Sequence, residues 1–421
     1  MKFIKHHKSA IYSIMSLGLR LLTGPLSILL ITTKLSLFEQ GVYYTFIAIA
    51  SIQWVFELGI STAIVQHLSS NRISGRLINA YMTFAFIFLS LSSLLLFFAL
   101  LWYASYLFQS LDTNLWLCPW VIYALFISIN VLNNIILIYE ESRGNPETAY
   151  RTKLYSGVAY AVSLIGCLFL ELGLYSLGIA QLSIFLSVIC INHKNYICVA
   201  ESYKRSSGKT IAVVCRKLYK FQFKLSMVWI LGYFYWNIYT IYIFKFVSVE
   251  VAGKYGAANA VISAISIAMA SWINTKRSVI GRYISDKKYQ LAEKIYKECL
   301  VIGLLGYSAV SILFLTFIYS GLLGFDNRFL SINILVIMVV LRFAILWQEC
   351  ILIYLRMYKD EPLYILTVIN YFLTIPIVCS VHIIGVDFIW IFIISTLVQI
   401  VAIPIYVKGK DSFVIKQSEG A

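Results

Sequence analysis

The stretch SAIYSIMSLGLRLLTGPLSILLITT, residues 9–33, carries one charge in its whole length, Arg20. As a helix it would rise ~37 Å at 1.5 Å per residue, enough to cross a hydrocarbon layer of about 30 Å. A cation near the middle of such a span costs at least ~2.5 kcal/mol on insertion scales, so Arg20 is expected to face a polar interior and hold something negative. The rest of the chain fits that environment. Its 421 residues are 60% hydrophobic and only 13% charged, with a mean hydropathy of +0.83. A soluble domain needs more polar surface, so the composition points to an all-α integral membrane protein.

Working outward from residues 9–33, hydropathy predicts twelve transmembrane helices. The remaining eleven lie near 41–65, 79–105, 116–138, 154–172, 176–198, 225–245, 254–274, 299–320, 330–355, 363–384 and 387–407. The net charge of +15 is distributed by topology. Lys and Arg gather in alternate connections: Lys2 to Lys8, Arg72 with Arg76, Arg143 to Lys153, Lys194 to Lys224, Lys276 to Lys297, Arg356 with Lys359, and Lys408 to Lys416. The positive-inside rule makes these cytoplasmic and places both termini inside. Their placement excludes a nucleic-acid surface and assigns them to anionic lipid. Eight cysteines scattered singly through apolar runs read as core residues, and no metal-ligand or cofactor spacing is present.

The longest basic connection falls mid-chain, with an amphipathic stretch near Val213 to Phe221 suited to the membrane surface. It predicts a six-helix half over 1–205, a cytoplasmic connector over 206–224 and a second six-helix half over 225–421. Faint internal similarity agrees: Gly41-Val42-Tyr43 opens the second span after Glu39, and Gly253-Lys254-Tyr255 opens the eighth after Glu250. Pro146 and Pro362 follow the fourth and tenth spans.

Ionisable residues inside spans are the candidates for function. Arg20 precedes Gly24-Pro25, a pair that loosens a helix and marks a candidate hinge. Glu57, in Phe56-Glu57-Leu58-Gly59, lies at similar depth on the second span. It reads either as a structural partner of Arg20 or as a proton carrier that releases Arg20 to an anionic ligand. The tenth span carries Arg342 and, seven residues on, Glu349, which share a helix face and read either as an ion pair or as an anion site with its acid nearby. Both arginines are expected to border a wet vestibule. Asn130, Asn133 and Asn134 share a face of the fourth span, and Gln181, Asn370 and Gln399 add further amides; such groups glue helices together or line a polar path. The seventh span is aromatic, and Tyr233 and Trp236 there read as packing residues or as stacking faces for sugars. No Walker lysine, HExxH or GxSxG motif occurs, and the outer loops are short, which argues against ATP hydrolysis, proteolysis, hydrolase chemistry and glycosyl transfer.

With twelve spans, the arginine of the first span, Gly41 to Tyr43 after an acidic turn, and Phe56-Glu57-Leu58-Gly59, the chain resembles polysaccharide flippases of the multidrug/oligosaccharidyl-lipid/polysaccharide exporter (MOP) superfamily, in particular the O-antigen (Wzx-type) branch. Members more often carry Asp where Glu57 stands. The resemblance implies a MATE-like fold of two six-helix bundles in the bacterial inner membrane. It further implies transport, without enzymatic activity, of undecaprenyl-diphosphate-linked oligosaccharide to the periplasmic leaflet by alternating access, as a step in O-antigen and lipopolysaccharide biosynthesis. On that reading Arg20 and Arg342 bind the headgroup, the asparagines line its path, and a polymerase and chain-length regulator are the protein partners. Three alternatives remain: a MATE-like cation-coupled drug exporter, a major-facilitator porter, and a membrane glycosyltransferase or polymerase.

Overall fold

The structure, a computed structural model, describes residues 2–69, 75–142, 146–204, 208–358 and 360–419. For several of these, Arg20 among them, only the backbone is described, and the turn at Arg72 and the Ser206-Ser207 segment lie outside the described residues. Every regular element among the described residues is helical. Among the described residues eleven helices are long and apolar enough to cross a membrane. The predicted span 9–33 falls within a further helix, α1 (Lys2–Lys34). The protein is a multi-pass membrane protein. Exposed stripes show where lipid would lie: Leu91, Leu94, Leu95, Phe98 and Trp102 follow helical spacing, as do Val301, Ile302, Leu305, Ile312 and Leu313. In water such stripes would be untenable; against acyl chains they are the expected surface.

The chain divides into two compact units, Met1–Tyr233 and Phe234–Ala421. In the first, α1 packs on α7 (Pro146–Phe169), which packs on α8 (Tyr175–Lys204). The latter also packs on α6 (Thr113–Ser142), and α6 on α5 (Gly75–Leu107). The core there is aromatic: Phe46, Phe108, Trp120 and Tyr123 are buried together, with the Trp120 indole donating to the Leu100 carbonyl at 3.2 Å. That bond satisfies the one polar atom the ring brings inside.

In the second unit α10 (Val249–Thr275) packs on α12 (Tyr289–Tyr319) and α13 (Ile332–Arg356), with α11 (Arg277–Ser285) against α12. Helix α15 (Ile389–Glu419) packs on α13 and on α14 (Tyr364–Ile384).

Three local features depart from the predicted spans. The second span is three helices, α2 (Leu37–Ala50), α3 (Gln53–Glu57) and α4 (Ile60–Ser69): a turn at Ser51-Ile52 separates the first two, and the last break arises because Leu58 and Gly59 both take left-handed backbone angles, φ 51° and 69°. Glycine takes such an angle freely, whereas leucine does so at a steric cost. The connector is no separate surface element: α9 runs unbroken from Gly208 to Phe246, carrying the amphipathic stretch into the seventh span. Helix α1 continues as helix through Gly24 and Pro25, while α8 bends at Asn192, whose φ of −122° is non-helical.

Candidate functional site

In the second unit the aromatic face of α9 and the charged face of α13 meet. Arg342 is only 8% exposed, and its guanidinium carbon lies 4.7 Å from the centre of the Trp236 ring. Nη2 approaches Glu349 Oε1 at 3.6 Å, a charge contact longer than a hydrogen bond. The Nε and Nη1 donors are buried and have no acceptor among the described residues. A buried guanidinium left with spare donors is costly, and a π face with one distant carboxylate offsets only part of that cost. Arg342, Trp236, Tyr239, Tyr255, Asn259 and Gln399 border a cavity of about 40 Å³. That holds about three waters but neither a sugar nor a diphosphate. The cavity that Arg342 borders among the described residues is therefore too small, as it stands, for such a cargo. The sequence indicated Arg342 and Trp236 by separate arguments; the structure joins them.

Behind this pocket three amides close on one another. Gln348 Nε2 donates to the Gln399 carbonyl at 2.9 Å, Asn370 Nδ2 donates to Gln348 Oε1 at 2.9 Å, and Gln399 Nε2 donates to Asn370 Oδ1 at 2.8 Å. The ring ties α13, α14 and α15 together beside Glu349 and fixes the face that α13 presents. Gln348 was not among the residues read from sequence. Its signal was available, since it lies 51 residues before Gln399, as Asn130 lies before Gln181.

The first unit repeats the arrangement. Asn130 Nδ2 donates to the Gln181 carbonyl at 3.0 Å and to its Oε1 at 2.9 Å. Asn133 donates to Asn130 Oδ1 at 3.1 Å and accepts from the Tyr196 hydroxyl at 2.7 Å. These two asparagines join α6 to α8. Asn134 is drawn away from them, its Nδ2 lying 3.4 Å from Glu57 Oε2.

Glu57 closes α3 immediately before the left-handed pair and also accepts from the Ser61 hydroxyl. The Leu58 carbonyl, freed by the break, accepts from Gln222 Nε2 of α9. A broken helix inside lipid needs such a partner, because no water is there to take the carbonyl. The Arg20 side chain lies outside the described residues, so its relation to Glu57 is not described. Tyr233 is buried on α9.

One basic residue read as a topology signal has another place. Lys410 is 4% exposed, 2.6 Å from Glu293 and 2.9 Å from Asp411, with its ammonium 5.0 Å from the Tyr296 ring centre. It joins α15 to α12 as a buried ion pair rather than standing in solvent.

A scan against family models finds no match, and neither does a search of curated proteins. Solved structures do match. An inward-facing multidrug-resistance MATE transporter of the MOP superfamily aligns with a TM-score of 0.64 at 14% identity, covering 96% of this chain and 99% of that one. The lipid II flippase MurJ, in an inward closed conformation, aligns with a TM-score of 0.66 at 15% identity, covering 97% and 90%. A MOP-superfamily transporter from Pyrococcus furiosus, described as having a binding pocket of reversed polarity that suggests a different function, aligns with a TM-score of 0.54 at 15% identity over 97% and 95%. The chain has the fold that MATE transporters and the lipid II flippase share.

Proposed function

We propose that this protein is a flippase that carries an undecaprenyl-diphosphate-linked oligosaccharide, an O-antigen or related repeat unit, from the cytoplasmic to the periplasmic leaflet of the bacterial inner membrane. On this reading α1 is the first of twelve spans, arranged as two six-helix bundles that act by alternating access, and both termini are cytoplasmic. The observation that carries the proposal is Arg342, a buried cation with two donors free, held against Trp236 in a fold shared with a lipid II flippase. A diphosphate accepts from such donors, whereas a cationic drug is repelled by them. Arg20 is the second proposed headgroup cation. A membrane potential negative inside drives an anionic head outward by ~2.3 kcal/mol per charge per 100 mV, so no nucleotide is needed.

The second reading is a cation-coupled drug exporter, favoured by Glu57 and Glu349 and by the MATE-type neighbours. The major-facilitator and glycosyltransferase readings have no observation in their favour. The deciding experiment reconstitutes the protein in liposomes that hold undecaprenyl-diphosphate oligosaccharide in one leaflet and a cationic dye in the lumen. The flippase reading expects the labelled lipid to reach the other leaflet faster with an imposed potential, and the dye to stay. Dye efflux with a static lipid overturns it, and newly formed glycosidic bonds would mark an enzyme instead.

A further inference from the structure

The break in the second span gathers polar atoms that the fold leaves unused. Gln222 commits its amide nitrogen to the Leu58 carbonyl. That fixes the orientation of the amide, since an oxygen facing the carbonyl would be repelled, and turns Oε1 away. Gln222 Oε1 is buried with no donor among the described residues. Seven residues along α9, two turns and ~10 Å of rise, the Trp229 indole N–H is buried with no acceptor among the described residues. The Trp229 ring meets Trp54 edge to face at 6.4 Å, and Trp54, on α3 one turn before Glu57, is 36% exposed. The Glu57 carboxylate completes the group, held by Ser61 and Asn134 with lone pairs to spare.

The chemistry of this set selects a ligand class. A cation answers the Gln222 oxygen and Glu57 but not the indole N–H. An anion answers the indole but meets Glu57. A hydroxyl both donates and accepts, and two orphan groups of opposite character two turns apart on one helix face call for a ligand carrying more than one hydroxyl. An exposed aromatic face beside amide and carboxylate groups adds a surface for the C–H face of a pyranose. We propose that Trp54, Glu57, Gln222 and Trp229 form a carbohydrate subsite at the break in the second span, which holds sugar residues of the cargo. This inference rests on the flippase reading and assigns the part of the cargo that Arg342 does not.

The test measures binding to purified full-length protein in nanodiscs, with bare undecaprenyl diphosphate and a panel of undecaprenyl-diphosphate disaccharides bearing hexose, N-acetylhexosamine or uronic acid. Wild-type protein is expected to bind at least one sugar-bearing probe more tightly than the bare lipid. Gln222→Ala and Trp229→Phe are each expected to reduce that margin about three- to tenfold and to leave the bare lipid's Kd unchanged. Trp229→Phe keeps a ring in the packing and removes only the donor side of the indole, so it reports on the site even if Gln222→Ala fails to fold. The subsite is overturned, with the flippase reading intact, if no disaccharide improves on the bare lipid, if the variants weaken all probes equally, or if they weaken none because waters serve the orphan atoms. If wild-type protein binds no polyprenyl diphosphate at all, the flippase reading falls and the subsite falls with it.

Discussion

The two units are built on one plan and finished differently. Helices α2 and α10 both open on a serine cap, Ser36 and Ser248, each five residues before the glycine of a Gly-x-Tyr sequence. Asn130 and Gln348 both donate to the backbone carbonyl of a glutamine 51 residues on. Eleven residues, three turns, beyond that glutamine lies a buried polar side chain in each unit, Asn192 or Lys410. The caps and amide bonds, which set helix starts and helix contacts, are kept. What differs is the chemistry placed on them. Where α10 runs unbroken, its counterpart stops at Ala50, resumes for one turn and breaks again after Glu57. Where Asn192 bends α8 and donates to Thr152 at 3.0 Å, Lys410 reaches Glu293. The two units thus share the spacing of these scaffold bonds and differ in the chemistry of the positions that the bonds hold in place.

Four tests break or sharpen this comparison. The largest expected effect is Lys410→Met, which removes the buried partner of Glu293 and leaves it only the exposed Lys297 at 3.7 Å. It should cost about 3 kcal/mol in thermal denaturation of the solubilised protein, and adding Glu293→Gln should restore part of the loss. Arg342→Ala should slow lipid transport in liposomes about a hundredfold, an effect of about 2.7 kcal/mol, with Arg342→Lys retaining part of the rate. Transport unchanged in Arg342→Ala would remove the second unit's claim to the headgroup. Third, Gln348→Leu and Asn130→Leu should each destabilise by about 1 kcal/mol, and similar losses in melting experiments would support equivalent roles in the two units. The smallest effect is Gly59→Ala, about 0.5 to 1 kcal/mol, because a Cβ is introduced at φ 69°. Ala substituted for Gly253, inside an unbroken helix, should carry none of that left-handed strain.

Hydropathy located eleven of the twelve predicted spans because lipid imposes length and apolarity on each of them, and the remaining one falls within α1. The break at Leu58 was hidden: Gly59 gave a hint, but a leucine at positive φ has no sequence signature. The full reach of α9 was hidden too, since its basic first half carries no membrane signal and helix continuity is a property of the backbone. Within the site, Arg342 and Glu57 were legible because charge in a span is rare. Their contacts with Trp236, Asn134 and Ser61 depend on helix rotation, which spacing along one helix does not determine. The pairing of Lys410 was not legible, because its partner Glu293 is distant in sequence.

The carbonyl turned outward at Leu58 has a mechanical corollary. Stripped of its helical donor in an oily layer, it must be held by something at every instant, and Gln222 does so now. Any displacement of α9 along α3 would therefore have to replace that grip with another donor, and the notch is where such a displacement would meet resistance.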